Sequence, residues 1–137
     1  MSKIIKTIIE GSMLALLLLA GAEHISAQNM AGTVIKKEVR FARGKSQATM
    51  RGVAKYAMSY VFDLDARSGQ TMAINLAGKN SQLTFSLIAP DEETIEGAFS
   101  VAKWTGDLPQ SGKYSIVVVM NDENAPPVPF SLTVRIN

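Results

Sequence analysis

The chain has 137 residues, with 14 Lys and Arg against 12 Asp and Glu, one histidine and no cysteine. The missing cysteine excludes a disulfide framework and a Cys–His catalytic pair, and a lone histidine excludes a His/Cys zinc set. That length supports one hydrophobic core rather than two.

The first segment reads as an export leader. Lys3 and Lys6 form a basic start, Met13 to Ala20 is apolar, and Ala20-Gly21-Ala22 and Ser26-Ala27 are small-residue cleavage sites. Residues 1–27 are therefore expected to be a signal peptide, cut after Ala22 or Ala27, with a single domain over 28–137. The apolar run is about ten residues, half of the roughly 20 that span a bilayer, and no cysteine follows it to carry a lipid. No membrane anchor is expected, and the expected location is the periplasm or the medium.

Beyond the leader, short runs alternate apolar and polar residues at period two, the signature of half-buried strands. In chain order they are Ile35–Phe41, Ala48–Gly52, Ser59–Leu64, Met72–Leu76, Leu83–Leu87, a weaker run at Phe99–Val101 ending near Trp104, Tyr114–Met120 and Phe130–Ile136. Turn signals separate them, among them Gly44, Ser68-Gly69 and the Pro126, Pro127, Pro129 cluster. The reading is an all-β antiparallel β-sandwich of about eight short strands with Greek-key connections; a closed eight-stranded barrel is the alternative. If strand direction alternates throughout, the 54–57, 77–82 and 105–112 loops share one end of the sandwich.

Charge is unevenly placed. Lys36 to Lys55 holds seven basic residues and only Glu38 against them, while Asp91 to Asn137 holds seven acidic and three basic residues. The basic stretch reads as a solvated face, or as a patch that meets an anionic surface. It lacks interleaved aromatics, so nucleic acid is not expected as a partner.

Catalytic chemistry has little to stand on. The sole histidine, His24, falls at the cleavage region, so no Ser–His–Asp set can be assembled. Asp63 and Asp65 share a strand face, as a glycosidase pair or a calcium site would require, but also as a solvated face would. Asp91-Glu92-Glu93 follows Pro90 in a loop and reads as solvated, with weak calcium binding as the other option. No enzyme activity, metal or cofactor is expected. Trp104 is read as a cap on the core, and Tyr56, in the short Ala54–Ala57 connection, as an exposed contact residue.

Leu108-Pro109-Gln110-Ser111-Gly112-Lys113-Tyr114 leads into an apolar strand. Pro109 presets φ and Gly112 admits positive φ. Leu108, Gly112 and Tyr114 resemble the tyrosine corner of β-sandwiches, in which a tyrosine hydroxyl folds back onto upstream backbone. Parity turns Tyr114 inward with Ile116 and leaves Ser111 and Lys113 outside.

Phe41-Ala-Arg-Gly44-Lys-Ser46-Gln-Ala48, Gly52, Tyr60, Gly69-Gln70-Thr71 and Leu108-Pro-x-Ser-Gly-x-Tyr114 occur in that order. Together they resemble the bacterial periplasmic inhibitors of g-type lysozyme, over roughly Val39 to Asn137. The scaffold is also similar to bacterial pre-peptidase C-terminal domains. The resemblance implies an exported inhibitor whose protein partner is a g-type lysozyme. It also implies that the Ser-Gly-x-Tyr loop, here Ser111, Gly112, Lys113 and Tyr114 with Gln110 ahead of them, enters the enzyme's cleft. The alternative is a non-catalytic accessory domain of the pre-peptidase type that binds cell-wall carbohydrate or protein. The chain departs from the inhibitor pattern around Tyr56, which lacks a Gly-Tyr-Asp tip, and at Asn121-Asp122-Glu123-Asn124, which is acidic rather than basic.

Overall fold

Period-two alternation gives each strand one apolar face, and two such faces bury each other only when sheets stack. The computed structural model describes residues 32–137. The expected leader, its cleavage points and His24 lie outside the described residues. The strands are β1 (Thr33–Glu38), β2 (Gln47–Ala54), β3 (Met58–Ala66), β4 (Thr71–Gly78), β5 (Leu83–Ile88), β6 (Lys103–Asp107), β7 (Gly112–Met120) and β8 (Val128–Ile136). They form two four-stranded sheets, β1-β3-β7-β5 and β2-β8-β4-β6. The sandwich is thus the architecture, and the closed barrel is not. All pairings are antiparallel except β1 with β3, which is parallel.

Odd-numbered strands make one sheet and even-numbered strands the other, so each connection carries the chain across the core. Short connections join strands of opposite direction. The exception is 89–102, which travels back along the sandwich so that β5 and β6 run the same way. Consequently the 39–46, 67–70 and 108–111 connections share one end. There the Gly69 N–H donates to the Leu108 carbonyl at 2.9 Å. The 55–57, 79–82 and 121–127 connections share the other end, where the Asn121 N–H donates to the Gln82 carbonyl at 3.0 Å. This corrects the expectation that the 54–57, 77–82 and 105–112 loops lie together, which required alternation without exception.

The same long connection replaces the strand expected at Phe99–Val101. Positive φ at Gly97 (83°) and Ser100 (57°) breaks extended geometry there. Isolated bridges, Phe85 with Val101 and Ile88 with Thr94, tie it to β5 together with single hydrogen bonds such as the Leu87 N–H to the Ala98 carbonyl at 2.9 Å, and no continuous ladder forms. The regular strand begins at Lys103 and includes Thr105-Gly106-Asp107, which reads as a turn in sequence. Trp104 packs inward over Gly106: a Cβ there would come within 2.5 Å of the indole.

The core contains Phe62, Phe85, Leu87, Met72, Tyr114, Ile116, Leu132 and Val134, each fully buried. Burial of each large apolar side chain contributes about 2 kcal/mol. Tyr60 stacks on Phe62 with ring centroids 5.9 Å apart and meets Phe130 edge-on at 4.9 Å. Its hydroxyl donates to the Val53 carbonyl at 3.0 Å and accepts from the Val53 N–H at 3.2 Å. Gly52 makes room for this cluster, since a Cβ would sit 2.9 Å from both rings.

Asp63 departs from the solvated-face reading, with only 3% of its surface exposed. Its Oδ1 accepts from the Ser115 hydroxyl at 2.6 Å, and Lys36 Nζ lies 3.7 Å from Oδ2. Loss of this carboxylate leaves the Ser115 hydroxyl without its partner. Asp63→Ala is expected to lower stability by about 2 kcal/mol in urea unfolding, whereas Asp65→Ala, on an exposed side chain, stays within about 0.5 kcal/mol of wild type.

Candidate functional site

Two turns meet at the first end of the sandwich, 67–70 and 108–111. The Leu108 N–H donates to the Gln70 carbonyl at 2.8 Å, and the Ser68 N–H donates to Ser111 Oγ at 2.8 Å. Beneath them Tyr114 forms the tyrosine corner that the sequence suggests. Its hydroxyl donates to the Gln110 carbonyl at 2.7 Å and accepts from the Gln110 N–H at 3.1 Å. Both main-chain polar groups of Gln110 are therefore held by one side chain. Gly112 sits at φ 141°, where a Cβ would come 3.0 Å from the Pro90 ring. These ties make the turn a rigid projection.

The candidate contact residues separate sharply on this frame. Tyr114 is 0% exposed. Its side chain lies in the core beneath the turn, as the inward parity of the strand predicts, and not on the surface of the projection. Gly112 and Gln110 are half-buried and hold the turn's shape. Ser111 is exposed; its Oγ accepts from Ser68, which leaves the O–H free to donate outward. Lys113 opens β7 on the solvent face, opposite Asp65, with Nζ 3.8 Å from Glu38 Oε2. Both members of that pair are more than half exposed, so it holds the ammonium only weakly.

Tyr56 lies at the opposite end, on the 55–57 turn. It is 51% exposed, and the turn is closed by the Met58 N–H donating to the Lys55 carbonyl at 3.2 Å, with Ala57 at φ 65°. The strands between the ends are up to nine residues long, so Tyr56 and Ser111 stand about 25–30 Å apart. A single narrow cleft cannot take both.

Asp91 also joins the first end, which was not legible from its acidic loop. The Glu93 N–H, at 3.0 Å from Oδ1, and the Gln110 side chain hold its carboxyl below the ordinary value of 3.8, against a smaller desolvation effect. Beside the turns, Phe41, Lys45, Ser46, Asp65, Arg67 and Gln70 line an open groove of about 320 Å³.

No protein-family model and no curated protein matches the chain. Solved structures do. Aeromonas hydrophila PliG, a periplasmic lysozyme inhibitor of g-type lysozyme, aligns with TM-score 0.65 and 30% identity over 77% of this chain and 99% of its own. The chain belongs to the family of periplasmic inhibitors of g-type lysozyme. Salmonella Typhimurium PliG shares the fold at TM-score 0.60 and 22% identity, over 75% of this chain and 98% of its own. The pre-peptidase C-terminal domain of Bacillus anthracis collagenase shares it at TM-score 0.54 and 13% identity, over 76% of this chain and 96% of its own. In this fold Gly52, Tyr60 and Tyr114 are packing residues.

Two outcomes test the corner. Tyr114→Phe leaves the Gln110 peptide unpaired and is expected to cost about 1–2 kcal/mol in urea unfolding. Asp91, whose folded-state pKa is depressed, stabilises above its ordinary pKa and loses that contribution as pH falls through the lower folded value. The stability gap between wild type and Asp91→Asn should therefore narrow from about pH 6 to about pH 3, followed by urea unfolding at each pH.

Proposed function

We propose that the protein is a periplasmic inhibitor of g-type lysozyme and carries no catalytic activity of its own. The observation that carries this reading is the 30% identity with Aeromonas hydrophila PliG over 99% of that chain. Export by a leader over residues 1–27, leaving one domain from 28 onward, accords with that location.

The Ser111–Lys113 turn is the proposed inserted element. A glycosidase of this kind needs a carboxyl acid in its cleft, and a carboxylate there accepts hydrogen bonds. The free Ser111 O–H and the weakly held Lys113 ammonium are donors suited to it, and a charge-assisted bond is the stronger type. Preorganisation by Tyr114 reduces the entropy lost on binding. One turn buries too little area for tight association, which takes about 800 Å² per partner. The 39–46 and 67–70 connections beside it, with Arg43, Lys45 and Arg67 exposed, extend the contact.

A second reading rests on the exposure of Tyr56, since rigid aromatic side chains serve as interface anchors. It places the contact on the opposite end, with 55–57, 79–82 and 121–127. Two variants separate the readings in a wall-lysis assay with g-type lysozyme. Ser111→Asp with Lys113→Glu is expected to weaken inhibition by about 100-fold, while Tyr56→Ala leaves it within about threefold. The reverse pattern assigns the cleft to the Tyr56 end, and no inhibition by wild type overturns the inhibitor role.

A further inference from the structure

The outer face of the β2-β8-β4-β6 sheet belongs to neither end and has no covering element among the described residues. Cross-strand register orders its side chains into rows. Gln47, Arg135, Ala73 and Thr105 form one row; Thr49, Thr133, Asn75 and Lys103 the next; Arg51, Ser131 and Ala77 the third. Arg51, Lys103 and Arg135 are exposed, and no carboxylate among the described residues lies within 4.0 Å of any of them. The carboxylate side chain on this face among the described residues, Asp107, stands at its corner and accepts from the Thr71 hydroxyl at 2.9 Å, beside the Asn137 terminus, whose oxygen accepts from the Thr71 N–H at 3.1 Å. Between the cations the surface is small and polar, with a shallow groove of about 240 Å³ along Gln47, Asn75, Lys103, Thr105, Thr133 and Arg135.

From strand spacing and rise, the three cations sit about 10–15 Å apart. That separation cannot clamp one phosphate or carboxylate. It suits a polymer with well-separated negative charges. The hydroxyl and amide side chains between the cations are donors and acceptors for sugar hydroxyls. The face has no aromatic side chain on which bases could stack, which disfavours single-stranded nucleic acid. Its exposed apolar side chains are confined to one margin, Val53 opposite Pro129, too small a patch to enter a lipid bilayer. The other sheet differs: its outer face mixes Lys36 and Lys113 with Glu38, Asp63 and Asp65 and carries Val61 and Val117.

We infer that this face docks a carboxylate-bearing glycan: peptidoglycan strands whose stem peptides carry free carboxyl groups. The choice of polymer rests on the periplasmic location proposed above; the need for a spaced polyanion rests on the face alone. Docking there leaves both ends of the sandwich free, so the protein would sit on the wall while its loops face a lytic enzyme.

The test is co-sedimentation of the purified protein with isolated sacculi, with lysozyme binding measured separately on the same samples. Wild type is expected to sediment at low ionic strength and to be released as salt rises, because screening weakens exposed charge contacts. Arg51→Gln, Lys103→Gln and Arg135→Gln together are expected to reduce binding about tenfold, with the thermal unfolding midpoint and lysozyme binding retained. Ser111→Asp with Lys113→Glu is expected to sediment as wild type does, so loss of the inhibitor reading and loss of this one are distinguishable. Glycan stripped of its peptides is expected to bind more weakly than intact sacculi. The proposal is overturned if wild type stays in solution, if the triple variant sediments equally, or if stripped glycan binds as well as intact sacculi. Equal or stronger retention by single-stranded DNA or anionic phospholipid vesicles overturns it too.

Discussion

Because each connection crosses from one sheet to the other, no strand is paired with its neighbour in sequence. Both sheets are assembled entirely from long-range pairings, such as β2 with β8 and β3 with β7. Local hairpins therefore contribute nothing to sheet assembly, and the apolar layer between the sheets has to hold the two together. With no cysteine in the chain, that layer carries the load without covalent help. Such non-local topology also carries a large loop-closure cost and predicts slow folding for a domain of this size.

Tyrosines secure the two ends of this arrangement. Tyr60 ties the Val53 peptide near the 55–57 turn, and Tyr114 ties the Gln110 peptide at the 108–111 turn. In each case the ring is in the core and the hydroxyl pairs with both main-chain polar groups of one residue. The arrangement converts core burial into loop rigidity, which is what an inhibitor loop requires if it is to bind without a large ordering cost. It also explains why residues that mark the family sequence are hidden: Gly52 and Tyr60 serve one packing cluster, and Leu108 and Tyr114 another. They hold the shape of the two ends, and the residues between them are left at the surface.

Two features of the polar architecture follow from the same frame. Asp63 is buried on a sheet face where Ser115 stands across from it on β7 and Lys36 reaches it diagonally from β1, a consequence of register that spacing along one strand does not reveal. Arg51, Lys103 and Arg135 are distant in sequence, yet three antiparallel pairings place them on one face. The basic stretch noticed between Lys36 and Lys55 is, by contrast, divided among both sheets and both ends, so the charge run and the charged face are different things.

The amino-acid sequence by itself determined the fold class, the strand count and the inward turn of Tyr114, because period-two burial and the proline and glycine punctuation are local properties. The ordered motif set also carried the family. Strand direction was decided only in three dimensions. The return path of 89–102, bent by positive φ at Gly97 and Ser100, makes β5 and β6 run the same way and sends Tyr56 to the end opposite Ser111. Nothing in the alternation pattern encodes direction, since a strand reads the same either way. Which exposed residues share a surface is therefore a property of the topology, and it separates the Ser111–Lys113 turn from the Tyr56 turn by the length of the sandwich.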